Sequence, residues 1–322
     1  MNHLFLGLSG KVYTVINAIL NQVKASRLCI VFLLLSFLQG LAQTDTFEAD
    51  NIEKSTLAFA ERDSTLYLDF YQKKGDTAVR PCVIFVFGGG FAVGNRDASA
   101  YHSYFKNLVN RGLKVASIDY RLGLAGIYDE IGIFNTKPLG TAIDMAVADL
   151  YAATAYLLSE SDALGVAPTR FIVSGSSAGA ITSLHADWYL KNKHKLSAIL
   201  PENFRYAGVI SFAGAIFSTT GKPRYPSPPT PTLFFHGTED KTVPYSKRRL
   251  LHKGFFGSAV LAKDFLKAGY PFFLVTEREG SHRVAVSAMD ERLDEILQFI
   301  GTAVLRDSRF QKEITLIPIP GN

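Results

Sequence analysis

The sequence predicts an α/β protein with a mostly parallel sheet between layers of helix, for three reasons. From residue 82 onward, short apolar runs alternate with helical patterns, the order that builds parallel strands joined by right-handed crossovers. The run Cys82 to Phe87 is apolar at successive positions, as a strand covered on both faces must be. A third run, Phe171 to Val173, leads into Gly175-Ser176-Ser177-Ala178-Gly179 and then a helical stretch from Ala180 to Asp187. That is a sharp strand–turn–helix junction with a serine at its apex.

Lys54 to Asp63 and Thr65 to Tyr71 read as antiparallel edge strands. In the second, Leu66, Leu68 and Phe70 alternate with Tyr67, Asp69 and Tyr71, the period of two expected for one buried face. Cys82 to Phe87 follows and ends in Gly88-Gly89-Gly90-Phe91. Val115 to Ile118 is a short strand that ends in Asp119-Tyr120-Arg121-Leu122. A helix is predicted from Thr141 to Ser159, where Ile143, Val147, Leu150 and Leu157 form one apolar stripe of the kind that faces a core. After the serine junction come strands Tyr206 to Phe212 and Thr232 to Phe235, and Lys247 to Lys253 reads as a solvated helix. Helix Val260 to Ala268, strand Phe272 to Thr276 and helix Met289 to Ala303 complete the pattern.

The first 42 residues differ in kind. They hold Lys11, Lys24 and Arg27, no acidic residue, and the apolar run Leu28 to Leu38 before the small residues Gly40-Leu41-Ala42. This is the layout of a secretory signal peptide, and the run falls short of the roughly 20 residues of a spanning helix. Residues 1–42 are therefore expected to be a signal and 43–322 a single catalytic domain, exported to the periplasm or beyond the cell. Without the signal the formal charge falls from +5 to 5 − 3 = +2, so the basic balance argues for no nucleic-acid partner. Cys29 leaves with the signal and Cys82 remains, so no internal disulfide forms and the core must stabilise the fold.

The serine junction carries the chemistry. A turn this tight presents Ser177 alone at the strand end, with the Ala178 amide at a helix N-terminus able to meet a developing oxyanion. Three consecutive glycines at Gly88-Gly89-Gly90 are costly in entropy. They read either as a loop aiming amides at a substrate oxygen or as a flexible turn. A serine nucleophile needs a base, and seven histidines are available. His3 lies in the signal, His102 precedes the serine, and His185 and His194 precede any convincing acid. His236 directly precedes Gly237 and reads as a turn brace, and His252 sits among Lys247, Arg248, Arg249 and Lys253. That leaves His282, just after the last predicted strand. For the acid, Asp240 in His236 to Pro244 follows a strand at the same edge. Its neighbour Glu239 is the rival, but adjacent side chains on an extended loop diverge, and Asp240 is favoured. No metal-ligand spacing, dinucleotide fingerprint or P-loop is present, so no cofactor is expected.

Leu66 to Tyr71, Val83 to Phe91, Asp119 to Leu122, Gly175 to Gly179, His236 to Pro244 and Gly280 to His282 occur in an order and spacing that resembles the α/β-hydrolases. The resemblance is to the esterase and lipase branch with a His-Gly-Gly-Gly oxyanion loop, including acetyl-xylan and feruloyl esterase-like members. It implies an α/β-hydrolase fold and a serine hydrolase acting on carboxylic esters of small or carbohydrate-linked substrates. In that scheme Ser177 is nucleophile, His282 base and Asp240 acid, with Gly89, Gly90 and Ala178 supplying oxyanion amides. A peptidase of the prolyl-oligopeptidase type and a silent binding module are the alternatives. Phe87 stands where the family has a histidine that braces the glycine loop. Between the strand ending at Phe212 and that starting at Thr232, Pro223, Pro226, Pro228, Pro229 and Pro231 leave no room for a helical cap. The apolar segment Gly123 to Gly140, with Ile127, Tyr128, Ile131, Ile133 and Phe134, is the expected wall of an acyl or alcohol pocket suited to short acyl groups.

Overall fold

A computed structural model describes residues 51–127 and 135–317. The expected signal segment and four of the expected wall residues, Tyr128, Ile131, Ile133 and Phe134, lie outside the described residues. Nine of the described strands form one sheet in the order β1-β2-β4-β3-β5-β6-β8-β11-β12. They are β1 (Ile52–Glu61), β2 (Thr65–Lys73), β3 (Arg80–Val86), β4 (Lys114–Ile118), β5 (Val166–Ser176), β6 (Gly208–Phe212), β8 (Thr232–Gly237), β11 (Phe272–Glu277) and β12 (Gln311–Leu316). β1 pairs antiparallel with β2, and β2 with β4; every other pairing in the sheet is parallel. The antiparallel edge followed by a parallel body is the order the alternating runs predict.

The parallel body is where the apolar runs lie. Cys82 to Val86 in β3, Phe171 to Ser176 in β5 and all of β6 and β8 are buried. Phe212 stacks on Phe235 across neighbouring strands, with centroids 5.1 Å apart. Phe85 meets the rings of Tyr101, Tyr104 and Phe105 within 6 Å. Each such buried ring contributes about 1.5–3 kcal/mol by loss of apolar surface to water. Cys82 is fully buried in β3, and desolvation pushes its thiol up to about 12, so it is a core residue and not a reactive one.

Helices cover the sheet: α1 (His102–Asn110), α2 (Lys137–Ser159), α3 (Ala178–Lys191), α4 (Ser258–Ala268), α5 (Val284–Glu291) and α6 (Leu293–Phe299). The predicted stripe of α2 is buried at Ile143, Val147, Leu150 and Leu157. Its first turn begins earlier than expected, with Pro at the second position, where a missing N–H has no helical acceptor to lose. The single helix expected over Met289 to Ala303 is two helices and a wide final turn, Ile300–Val304, broken at Arg292.

Two expectations fail for stated reasons. Lys247 to Lys253 is no helix. β9 (Lys247–Leu250) and β10 (Lys253–Gly257) form a hairpin that β7 (Ala215–Ser218) completes as a separate antiparallel sheet. The basic run occupies the exposed outer strand, where charge suits a sheet edge as well as a helix face. In β2 the alternation is incomplete, because Asp69 and Tyr71 are buried with Leu68 and Phe70. Asp69 Oδ1 there accepts from Thr56 Oγ1 at 2.7 Å and pairs with Arg96 at 3.1 Å, which gives the buried carboxylate a cationic partner.

Candidate active site

β5, β8 and β11 run parallel within one sheet, so their carboxyl ends share an edge. Ser177 follows β5 directly and caps α3 with φ 51° and ψ −113°. This strained left-handed-side conformation costs about 1–3 kcal/mol, and close packing of the turn maintains it. A Cβ on Gly175 would lie 2.2 Å from the Gly179 carbonyl oxygen, and one on Gly179 would lie 1.9 Å from that of Val86. Both glycines are thus required by backbone approach, and the elbow cannot relax without separating strand from helix. Ser176 points the other way and donates to the Ala285 carbonyl at 2.8 Å, tying the elbow to the start of α5.

The other two candidates arrive from neighbouring loops. Asp240 follows β8 and His282 follows β11. Their loops are joined by Thr238 N–H to Glu277 O and Glu239 N–H to Gly280 O, both 2.9 Å. His282 Nε2 lies 2.8 Å from Ser177 Oγ, and His282 Nδ1 lies 2.6 Å from Asp240 Oδ2. With Nδ1–H donated to the carboxylate, Nε2 is the acceptor for the serine proton. The structure therefore brings Ser177, His282 and Asp240 into one hydrogen-bonded line, while Glu239 is exposed.

Asp240 is held more heavily than a third member needs. Its Oδ1 accepts from the amides of Thr242 at 2.8 Å and Val243 at 2.9 Å. Its Oδ2 also has His236 Nε2 at 3.4 Å. Burial works against its charge, but hydrogen bonds from His236 and His282 outweigh it and hold the carboxyl well below the usual range. His236 keeps its own orientation through Val243 O at 3.0 Å and Ser258 Oγ at 2.8 Å. The sequence reading of His236 as a turn brace holds, and the contact with Asp240 is the part it missed. An i, i+4 His–Asp spacing was the available signal. Of the remaining histidines, His185 is buried between carbonyls of Ile181 and Phe217, and His194 stacks on Tyr189 at 4.1 Å.

The glycine loop lies against the elbow. Gly89 and Gly90 have φ of 125° and 64°, and a Cβ on Gly89 would sit 1.9 Å from Val93 O. The amides of Ala92 and Val93 turn back onto Gly89 O at 3.1 Å. The N–H groups of Gly89 and Gly90 make no hydrogen bond among the described residues. Ala178 is the first residue of α3, and its N–H likewise has no acceptor within the helix. Phe87 is buried and packs against the Tyr120 ring at a tilt of 30°, with centroids 4.4 Å apart. Beyond Tyr120, Arg121 makes a two-pronged pair with the buried Asp149, Nη2 to Oδ1 at 2.8 Å and Nε to Oδ2 at 2.9 Å. That pair fixes the segment after β4 beside the loop. Among the described residues no group of three or more His, Cys, Asp or Glu is placed to hold a metal ion.

The BD-FAE family model matches residues 68–216, a span that contains the glycine loop and the elbow and ends before Asp240 and His282. The esterase 2 of Thermogutta terrifontis superposes with a TM-score of 0.57 at 22% identity, over 79% of this chain and 95% of that one. The chain has the α/β-hydrolase fold. The esterase Est22 also shares the α/β-hydrolase fold, with a TM-score of 0.57 at 14% identity over 85% and 87% of the two chains. Among curated proteins, fumonisin B1 esterase of Sphingopyxis macrogoltabida is 26% identical over 137 residues, 42% of this α/β-hydrolase and 25% of that protein. Lipase 2 of Moraxella sp. (strain TA144) is 31% identical over 115 residues, 34% and 23% of the two. The matched stretch thus spans about a quarter of the length of the curated relatives.

Proposed function

We propose that this chain is an exported carboxylic ester hydrolase that works through an acyl-enzyme, with a preference for short acyl groups on a sugar or other bulky alcohol. The observation that carries the reading is the line from Ser177 Oγ through His282 to Asp240, at 2.8 and 2.6 Å. The esterase and lipase relatives support it. Ser177 Oγ attacks the ester carbonyl as His282 Nε2 takes its proton. The new oxyanion meets the amides of Ala178, Gly89 and Gly90. The proton on Nε2 then passes to the leaving alcohol, and water, activated by the same nitrogen, releases the acid. A serine-directed phosphonate is expected to label Ser177 at one equivalent and abolish turnover, read by intact mass. Dialysis against EDTA should leave turnover unchanged, and a loss restored by a divalent ion would refute this mechanism.

The acyl preference rests on the walls of the site. Between β6 and β8 the described chain holds β7 and an irregular proline-bearing loop, with no helix to act as a cap. Leu124, in the expected second wall, is buried and donates its N–H to Phe91 O at 2.9 Å. The esterase 2 of Thermogutta terrifontis has been solved with propionate and with butyrate bound, acids of the length proposed here. Across a series of acyl p-nitrophenyl esters, kcat/KM is expected to peak at about two to four carbons, since a pocket gains only about 0.8 kcal/mol per buried methylene. A maximum at about eight carbons or beyond would show a deep acyl tunnel and refute the preference. Export is supported by the composition of residues 1–42 and is checked by the N-terminus of the secreted chain.

A further inference from the structure

Phe87, directly after β3, brings no hydrogen-bonding side chain to the glycine loop, and the structure shows what holds the first peptide of that loop. The carbonyl of Phe87 and the N–H of Gly88 belong to one peptide group, which is planar and rigid. Tyr120 Oη donates to that carbonyl at 3.1 Å. The N–H on the opposite side donates to Tyr101 Oη, also at 3.1 Å. Both hydroxyls are buried, with Tyr101 1% and Tyr120 3% exposed. We propose that Tyr101 and Tyr120 are positioning residues that clamp the Phe87–Gly88 peptide from both sides and so aim the Gly89 and Gly90 amides at the substrate oxygen.

The clamp explains why a phenylalanine is tolerated at position 87. Its ring packs beside that of Tyr120, whose phenol donates to the carbonyl of the same residue. Phe91 also meets the ring of Tyr120, edge-on with centroids 6.3 Å apart, so one phenol contacts both ends of the loop. Tyr101 comes from the turn Ser99–Tyr101 and is fixed by Phe85 at 4.7 Å. Burial keeps both phenols protonated, so Tyr120 remains a donor throughout the working pH range. The loop also has no side-chain packing of its own against the elbow. A Cβ on Gly88 would lie 3.1 Å from Ser176 O, 3.2 Å from Ser176 Oγ and 3.3 Å from Ser177 Cβ, so the bare loop backbone packs directly on the two serines of the elbow. With no side chain to interlock, the angle of the first loop peptide sets the direction of the two amides after it.

This inference rests on the proposed ester hydrolysis for its kinetic readout, and a second readout separates the two. Tyr101→Phe and Tyr120→Phe keep both rings and each remove one bond to the Phe87–Gly88 peptide, Tyr101→Phe also losing its hydroxyl contact with Ser176. Each is expected to lower kcat by about 10-fold with KM within about twofold, as befits a loss confined to the transition state. One bond still restrains a rigid plane, so the double variant should fall by clearly more than the product of the singles, beyond about 100-fold. Amide hydrogen exchange of a peptide covering residues 86–94 should quicken in the double variant while that covering β8 does not change. Single variants with wild-type kcat, a loss carried by KM alone, a double variant equal to the product, or unchanged exchange would each overturn the clamp. Should the double variant fail to fold, the two singles and their exchange decide the matter. A wild-type chain inert to every ester would refute the proposed activity, and the exchange comparison would still decide the clamp.

Discussion

Replacing Ser177 with alanine is expected to lower ester turnover by roughly 10⁵- to 10⁶-fold, the scale of loss when the nucleophile of a hydrolytic triad is removed. No neighbouring hydroxyl can substitute. Ser176 Oγ is committed to Ala285 O, and the strained φ of 51° at Ser177 aims one side chain alone at His282. The melting temperature should stay within a few degrees of wild type. Alanine pays the same backbone cost at positive φ, and the elbow is held by the approach of Gly175 and Gly179 to neighbouring carbonyls. His282→Ala is expected to be nearly as severe, because serine and base act as one unit. Residual turnover in both would report the oxyanion amides, which need neither side chain. Steady-state rates on a short acyl p-nitrophenyl ester, with circular dichroism as the folding control, check this. Wild-type turnover in Ser177→Ala together with an inactive Ser176→Ala would mean that the serines of the elbow had been assigned in the wrong order.

Much of this site is legible in the sequence because its chemistry requires particular residues at particular chain positions. A buried parallel strand must be apolar throughout, and a sharp elbow must have small neighbours, so β3, β5 and the Ser177 turn can be read directly. His282 and Asp240 follow from where strands end, since loops at one edge of a parallel sheet are the ones that can meet. What the sequence conceals depends on contacts between distant segments. Nothing local marks Tyr101 as the partner of Gly88, or Tyr120 as the partner of Phe87. Phenols in apolar surroundings look like core, and both are core as well. The hairpin of β9 and β10 escaped for a related reason. Lys247-Arg248-Arg249 is polar on every face, and its conformation is set by pairing with Lys253 to Phe256 and, through them, with β7. The last helical segment reads as one in the sequence because its apolar spacing continues through Arg292, where the backbone departs to φ −125° and ψ 33°.

Asp240→Asn is expected to cost about 10³- to 10⁴-fold in kcat with little change in KM, whereas Glu239→Gln should leave both near wild type. The reasoning starts from the hydrogen-bond pattern. Oδ1 faces two amide donors, from Thr242 and Val243, so an asparagine will place its carbonyl oxygen there. Its NH₂ then points at His282 Nδ1, which must become an acceptor, and the imidazole proton moves to Nε2. That nitrogen can no longer take the proton of Ser177, so the variant is folded, assembled and in the wrong tautomer. The same substitution should change how stability responds to acid. The folded carboxyl is held well below its usual value by His236 and His282 against the opposing effect of burial. A depressed folded pKa means that the stabilisation is fully present above the unfolded carboxyl value of about 3.9. It is lost as pH falls from there through the folded value, because protons then bind the unfolded state more readily. Melting temperatures recorded between about pH 3 and pH 7 should therefore decline less steeply toward acid in Asp240→Asn than in wild type. Parallel profiles for the two proteins would show that Asp240 carries no buried charge, and retained kcat in Asp240→Asn would remove it from the reaction.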